Sequence, residues 1–194
     1  MNNPLKTIPG TIISGFVLAI IIAIFLNPIK TFGWSLAVWL HVLAGITWIG
    51  LLYYFNFVQV PAVAEATEDS DGPGPAAISK YVAPRALWWF RWGALATWLT
   101  GAWALQYVGG FVTNFFATNG VTVIGVGAWL GTIMLINVWG LIWPNQKKLL
   151  GLVEATDEEK ARAKVIAFTA SRTNTLLSIP MLMCMIGLGH GLSF

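Results

Sequence analysis

Five apolar stretches, each about 20 residues long, constrain this chain more than any single motif does. They cover about 10–26, 34–60, 87–108, 121–143 and 167–192. In hydrocarbon a stretch of that length can satisfy its own backbone polar groups only as a helix. Between Arg91 and Lys147 there is no charged residue. The third and fourth stretches therefore read as a hairpin whose connection, 111–120, stays at the membrane interface. Composition points the same way: the 194 residues are 57% hydrophobic and only 10% charged, with a mean hydropathy of +0.71. That lies outside the usage of soluble globular chains. The expected fold is an all-α integral membrane protein, a five-transmembrane-helix bundle forming one domain over residues 1–194.

Punctuation supports the segmentation. Asn27-Pro28, Val60-Pro61 and Trp143-Pro144 end the first, second and fourth stretches, because proline cannot donate the next helical hydrogen bond. Gly109-Gly110 ends the third. Trp34, Trp88, Trp89 and Trp143 fall at span ends, as an aromatic belt requires. The first stretch is read as a retained helix rather than a cleaved leader, since it has one preceding lysine, a long apolar run and no small-residue exit. Pro180, inside the fifth, predicts a kink that frees the Leu176 carbonyl.

Two polar segments remain. Residues 62–86 carry Glu65, Glu68, Asp69 and Asp71 followed by Gly72-Pro73-Gly74-Pro75, a composition that predicts a flexible linker. Residues 145–165 instead contain a capping box, Thr156 with Glu159, and an i,i+4 pair, Glu158 with Arg162. A helix is predicted to begin there in water and continue into the fifth span. With five spans, ten of the eleven Lys and Arg residues share one face and only Lys30 lies opposite. The positive-inside rule then puts the N-terminus in the cytoplasm and the C-terminus outside, in a bacterial inner membrane.

That topology carries the two histidines of the chain, His41 and His190, toward the same outer leaflet. An imidazole in a span marks a functional site. Around His41 one helical face holds Ala37, Ala44, Gly45 and Trp48, and around His190 it holds Gly187. Small residues there would admit a flat macrocycle to the helix backbones, or would serve close packing, as Gly93, Thr97 and Gly101 do on the third span. Two imidazoles match bis-histidine ligation of one b-type haem, with His41 and His190 as the metal ligands and Gly45, Trp48 and Gly187 beside the cofactor. The spans contain no Asp or Glu, which argues against catalytic zinc, di-iron and a carboxylate proton relay. Copper is the weaker alternative, through Met181, Met183, Cys184 and Met185 before His190. At helical spacing those side chains diverge, and core packing explains them better. No catalytic residue is assigned, and the two histidines are the only evident general bases on the outer side.

Other polar groups have simpler uses. Asn56, Gln59, Gln106, Asn137 and Asn174 suit interhelical hydrogen bonds. Arg91, among Trp88, Trp89 and Trp92, suits stacking on an indole or a lipid phosphate. A net charge of +3 with a pI near 9.2 is no nucleic-acid footprint. The single cysteine, Cys184, allows no internal disulfide, and the absence of C-x-x-C-H excludes covalent c-type haem within this chain.

Four runs carry a family resemblance: 41–61 (HVLAGITWIGLLYYFNFVQVP), 84–93 (PRALWWFRWG), 137–146 (NVWGLIWPNQ) and 171–174 (SRTN). Together they resemble the membrane domain of the bacterial membrane-bound urate oxidase family, over about Trp34 to His190. In that family the domain precedes a C-terminal cytochrome c, and the resemblance implies urate oxidation coupled to electron transfer. Here the cytochrome c motif is missing, so the electron acceptor is expected to be a separate cytochrome c or another external carrier. The expected function is a membrane redox protein relaying electrons from a small substrate, urate or a quinol, through haem b. The alternative is an accessory or assembly subunit packed in a larger respiratory or photosynthetic complex. Partners are then membrane lipid and protein, with no nucleic acid.

Overall fold

The computed structural model describes residues 3–26 and 32–191. The expected helix end at Asn27-Pro28, the opposing Lys30 and the chain from Leu192 onward lie outside the described residues. Every regular element among the described residues is helical.

Contacts divide the chain into two units, residues 1–35 and 36–194. In the first, Asn3 caps a short 3-10 turn, Pro4–Lys6, that leads into α1, Ile8–Leu26. None of the residues of α1 is buried, and it is apolar on every side, the pattern of a helix with no polar face to turn toward water. The second unit contains α2 (Phe32–Tyr54, whose first residues fall in the first unit), α3 (Val60–Glu68), α4 (Ala83–Leu105) and α5 (Phe111–Phe115). It is completed by α6 (Val123–Ile136), α7 (Trp143–Leu149) and α8 (Asp157–His190). Long helices thus occupy all five apolar stretches. Among the described residues three are long and apolar enough to cross a membrane: α1, the run Phe32–Glu68 and the run Val123–Leu149. Tryptophan lowers the hydropathy of α4, as the polar residues do in α8.

Proline does not end the helices where it was expected to. A π-helical turn, Phe55–Gln59, joins α2 to α3 ahead of Pro61, and another, Asn137–Ile142, joins α6 to α7 ahead of Pro144. A third, Ile78–Val82, precedes Pro84 at the start of α4. In each case the wider turn resets the hydrogen-bond register so that proline falls in the first turn of the next helix, where its missing N–H costs nothing. α8 is continuous through Pro180, from Asp157 to His190.

The polar segment 62–86 is also corrected. Helix continues through Glu68 and resumes before the π turn at Ile78, so only a short bend around Gly72-Pro73-Gly74-Pro75 interrupts it. Ala62, Ala64, Ala66, Ala76 and Ala77 supply helix propensity on both sides. Gly74, at φ +68°, takes the left-handed turn between them.

The predicted start of α8 is observed. The Thr156 side chain accepts from Glu159 N at 3.2 Å, and Thr156 N donates back to Glu159 Oε2 at 2.9 Å. Two orphan donors are satisfied reciprocally. The ion pairs here are Lys148 with Glu159 and Lys160 with Asp157, both at 3.6 Å, and not Glu158 with Arg162. Because it accepts the Thr156 backbone N–H and faces Lys148, the Glu159 carboxyl titrates below its ordinary range.

From there α8 sends one stripe inward: Ala163, Ala167, Ala170, Asn174, Ser178, Met181, Cys184 and Gly187 are buried at three- and four-residue intervals. Ala170 and Met181 of this stripe join the core built around Trp48, Leu52, Phe90, Met134 and Val138.

Candidate functional site

His41 is held by α4. Its Nδ1 lies 2.8 Å from the carbonyl oxygen of Thr97. A carbonyl only accepts, so Nδ1 carries the ring proton and the Nε2 lone pair is left over. That is the tautomer a metal-ligating histidine uses, its second nitrogen fixed by a backbone carbonyl.

The seat for this ring is a glycine. A Cβ at Gly101 would lie 2.8 Å from His41 Cε1 and 3.0 Å from Nδ1, so only a residue without a side chain lets the imidazole lie against α4. Two turns earlier on α4, a Cβ at Gly93 would sit 3.4 Å from Trp48 N. Between them Thr97 donates its hydroxyl to Gly93 O at 2.7 Å, and its carbonyl takes the Thr100 hydroxyl at 3.1 Å as well as His41. The stripe Gly93, Thr97, Gly101 is therefore the packing surface that the sequence suggests. What the sequence did not reveal is that His41 fills it.

The remaining candidates separate. Gly45 makes an ordinary contact, its virtual Cβ 3.8 Å from Thr97 Cγ2. Trp48 is a core residue at 2% exposure, and its indole N–H has no acceptor among the described residues. Gly187 is buried on the inner stripe of α8. His190 is the exposed last residue of α8, followed by Gly191 in the left-handed cap conformation at φ +71°.

Do the two histidines meet? α2 and α4 run antiparallel, with His41 level with Gly101 and Trp48 level with Gly93. α6 and α8 also run antiparallel, since Gly127 faces Cys184 and Asn137 bonds to Asn174. Extending that register brings His190 level with the connection before α6. Trp98 Nε1 donates to Thr132 Oγ1 at 2.8 Å and ties α4 to α6. Both histidines therefore lie toward the end marked by residues 106–122. They are not level, however, because His190 falls about a turn or more beyond His41 along the axes, on the order of 7–12 Å at 1.5 Å per residue. No hydrogen bond joins the two rings.

The segment at that end is ordered. Asn114 donates to the carbonyls of Val108 and Gly110 and accepts from Thr122 Oγ1. Phe111 stacks on Phe115 at 5.0 Å, and Phe115 on Trp129 at 4.6 Å. Trp129 Nε1 donates to Phe115 O at 2.6 Å.

A second polar group lies deeper. Asn56 Nδ2 donates to Ser171 Oγ at 2.8 Å, Asn137 Nδ2 to Asn174 Oδ1 at 2.9 Å, and Asn174 Nδ2 to Met134 O at 3.0 Å. Tyr53 and Ser178 share a bond of 2.9 Å. The interhelical use predicted for Asn56, Asn137 and Asn174 is thus observed, whereas Gln59 Oε1 is buried with no partner among the described residues. Ser171 and Ser178 were missed; their signal was their helical spacing from Asn174. Arg91 stacks its guanidinium 3.8 Å from the Trp143 ring centroid.

As a haem ligand His41 fits: its proton is committed and its second nitrogen is uncommitted. His190 has no hydrogen bond to orient it among the described residues. The sulfur groups diverge as expected, with Met181 and Cys184 buried, Met183 exposed, and Cys184 and Met185 packed on Gly127. No cluster of three His, Cys, Asp or Glu exists among the described residues.

Residues 103–194, a little under half of the chain, match the family described as Urate oxidase N-terminal. The resemblance is borne out over that region, which includes α6 to α8 and His190 and stops short of His41. No curated protein and no solved structure matches the chain.

Proposed function

We propose, from the match of residues 103–194 to the urate oxidase N-terminal family, that the chain is a membrane-embedded redox protein that holds b-type haem through His41. The observation that carries this is the imidazole fixed by Thr97 O over Gly101, with Nε2 free. His190, exposed at the end of α8, is the second imidazole that would help hold the group. Bound haem would supply one-electron chemistry, passing electrons from a small substrate, urate or a quinol, to a separate cytochrome c or similar carrier. The chain's own part is to orient the imidazole and to keep the ring proton on Nδ1. Five spans with an inner N-terminus and an outer C-terminus complete the reading. A reporter fused after Phe194 should then be active outside the cytoplasm, and one near Gly72 inside.

The test is the optical spectrum of the purified protein, reduced and oxidised. A Soret band lost in His41→Ala supports the reading. Loss of low-spin character in His190→Ala as well assigns the second ligand, whereas a change in His41→Ala alone leaves that position to substrate or oxygen. A colourless parent overturns haem binding. The second reading is an accessory subunit of a larger membrane complex. It is favoured by the same seat on α4, since close packing by itself accounts for a histidine there. Stoichiometric co-purification of a colourless chain with such a complex would establish it.

A further inference from the structure

An open groove of about 320 Å³ lies at the start of α4, lined by Pro84, Arg85, Trp88 and Trp89. These residues share a side because positions one turn apart on a helix are neighbours. Both indoles are 47% exposed, and they meet edge to face at 5.0 Å. Arg85 Nη1 donates to Tyr81 O at 2.6 Å, which keeps the guanidinium near the groove.

The charge here is uncompensated. Among the described residues no carboxylate pairs with Arg85 or with Lys80, whose ammonium lies 5.5 Å from the Tyr81 ring centroid. Arg91, the other arginine of this helix, is occupied by Trp143. A guanidinium has a planar set of donors suited to phosphate oxygens. Half-exposed indoles beside it suit the boundary between headgroups and acyl chains.

We propose that this groove binds the headgroup phosphate of an anionic phospholipid, with Arg85 as the phosphate ligand and Trp88 and Trp89 against the glycerol and upper acyl region. Lys80 adds attraction for net negative charge, and no carboxylate lines the groove to meet the ammonium of a zwitterionic headgroup. The proposal rests on the membrane placement given above and is independent of haem.

The experiment is native mass spectrometry of the full chain released from detergent after exposure to equal amounts of phosphatidylglycerol and phosphatidylethanolamine. The parent should retain phosphatidylglycerol about fivefold over the zwitterionic lipid, the equivalent of one basic side chain near an anionic surface. Arg85→Gln should lose that preference, and Lys164→Gln, a basic residue on α8 outside the groove, should keep it. An unchanged melting temperature in Arg85→Gln shows that folding is intact. No preference in the parent, an equal loss in both variants, or displacement of the lipid by excess inorganic phosphate overturns the proposal. A parent that stays in the aqueous phase once detergent is removed defeats the membrane placement instead.

Discussion

His41 and His190 are the same residue type, both in glycine-containing apolar helices, yet their surroundings differ at every point. His41 lies against Gly101 with one nitrogen on a backbone carbonyl. His190 ends its helix, exposed, with no hydrogen bond to fix its ring among the described residues. The difference teaches that a neighbouring glycine on the same helix says little about a histidine. The glycine that matters to His41 is sixty residues away in sequence and on another helix. It follows that the two rings should respond unequally to small changes near them.

The largest effect is expected at the seat. Gly101→Val drives a branched side chain into the imidazole and should destabilise the chain by about 3 kcal/mol, with loss of any haem spectrum. Gly189→Ala, beside His190, meets nothing within 4 Å and should stay within about 0.5 kcal/mol of the parent. Denaturant unfolding in micelles measures both, and equal effects would erase the contrast between the histidines.

The next effect concerns the deeper polar group. Asn174→Ala removes the acceptor of Asn137 and the donor to Met134 O, leaving buried groups unpaired at a cost of about 2 kcal/mol. If the seat on α4 is independent of this group, combining Asn174→Ala with Gly101→Val should give additive losses.

Smaller still is the cap. Thr156→Ala should cost about 1 kcal/mol and raise hydrogen exchange over residues 157–161. Exchange there identical to the parent would remove the capping box from the account.

The smallest effect is pH dependence at the same cap. The folded-state pKa of Glu159 is lowered, first by the Thr156 backbone hydrogen bond and then by Lys148. Its contribution is therefore present above the ordinary glutamate range and fades as pH falls through the folded value. Glu159→Gln should flatten the acid-induced fraying of the start of α8, and an unchanged pH profile would show that the carboxylate plays no part.

Much of this architecture was legible because helix formation in apolar stretches is a local matter. The five long helices, the capping box at Thr156 and the stripe Gly93, Thr97, Gly101 follow from residues close in sequence. Proline was misread for a physical reason: a π turn absorbs it, and whether a turn widens depends on what packs beside it. At two of the three sites the turn carries an asparagine, Asn56 or Asn137, that bonds across to α8. The linker at 62–86 was misjudged because its charges and Gly-Pro pairs outweighed five alanines in the reading, although those pairs break the helix only where they stand.

Sequence alone determined that the chain is helical and strongly apolar, where its long helices lie, which two imidazoles it has to offer and which family its second half resembles. These are properties of composition and of residues within a few turns of each other. Only the tertiary structure decided that His41 donates a hydrogen bond from Nδ1 to the Thr97 carbonyl, that Gly101 makes room for the ring, and that His190 falls about a turn or more out of level. Those outcomes depend on the register between helices, which is set by side chains meeting across large sequence separations.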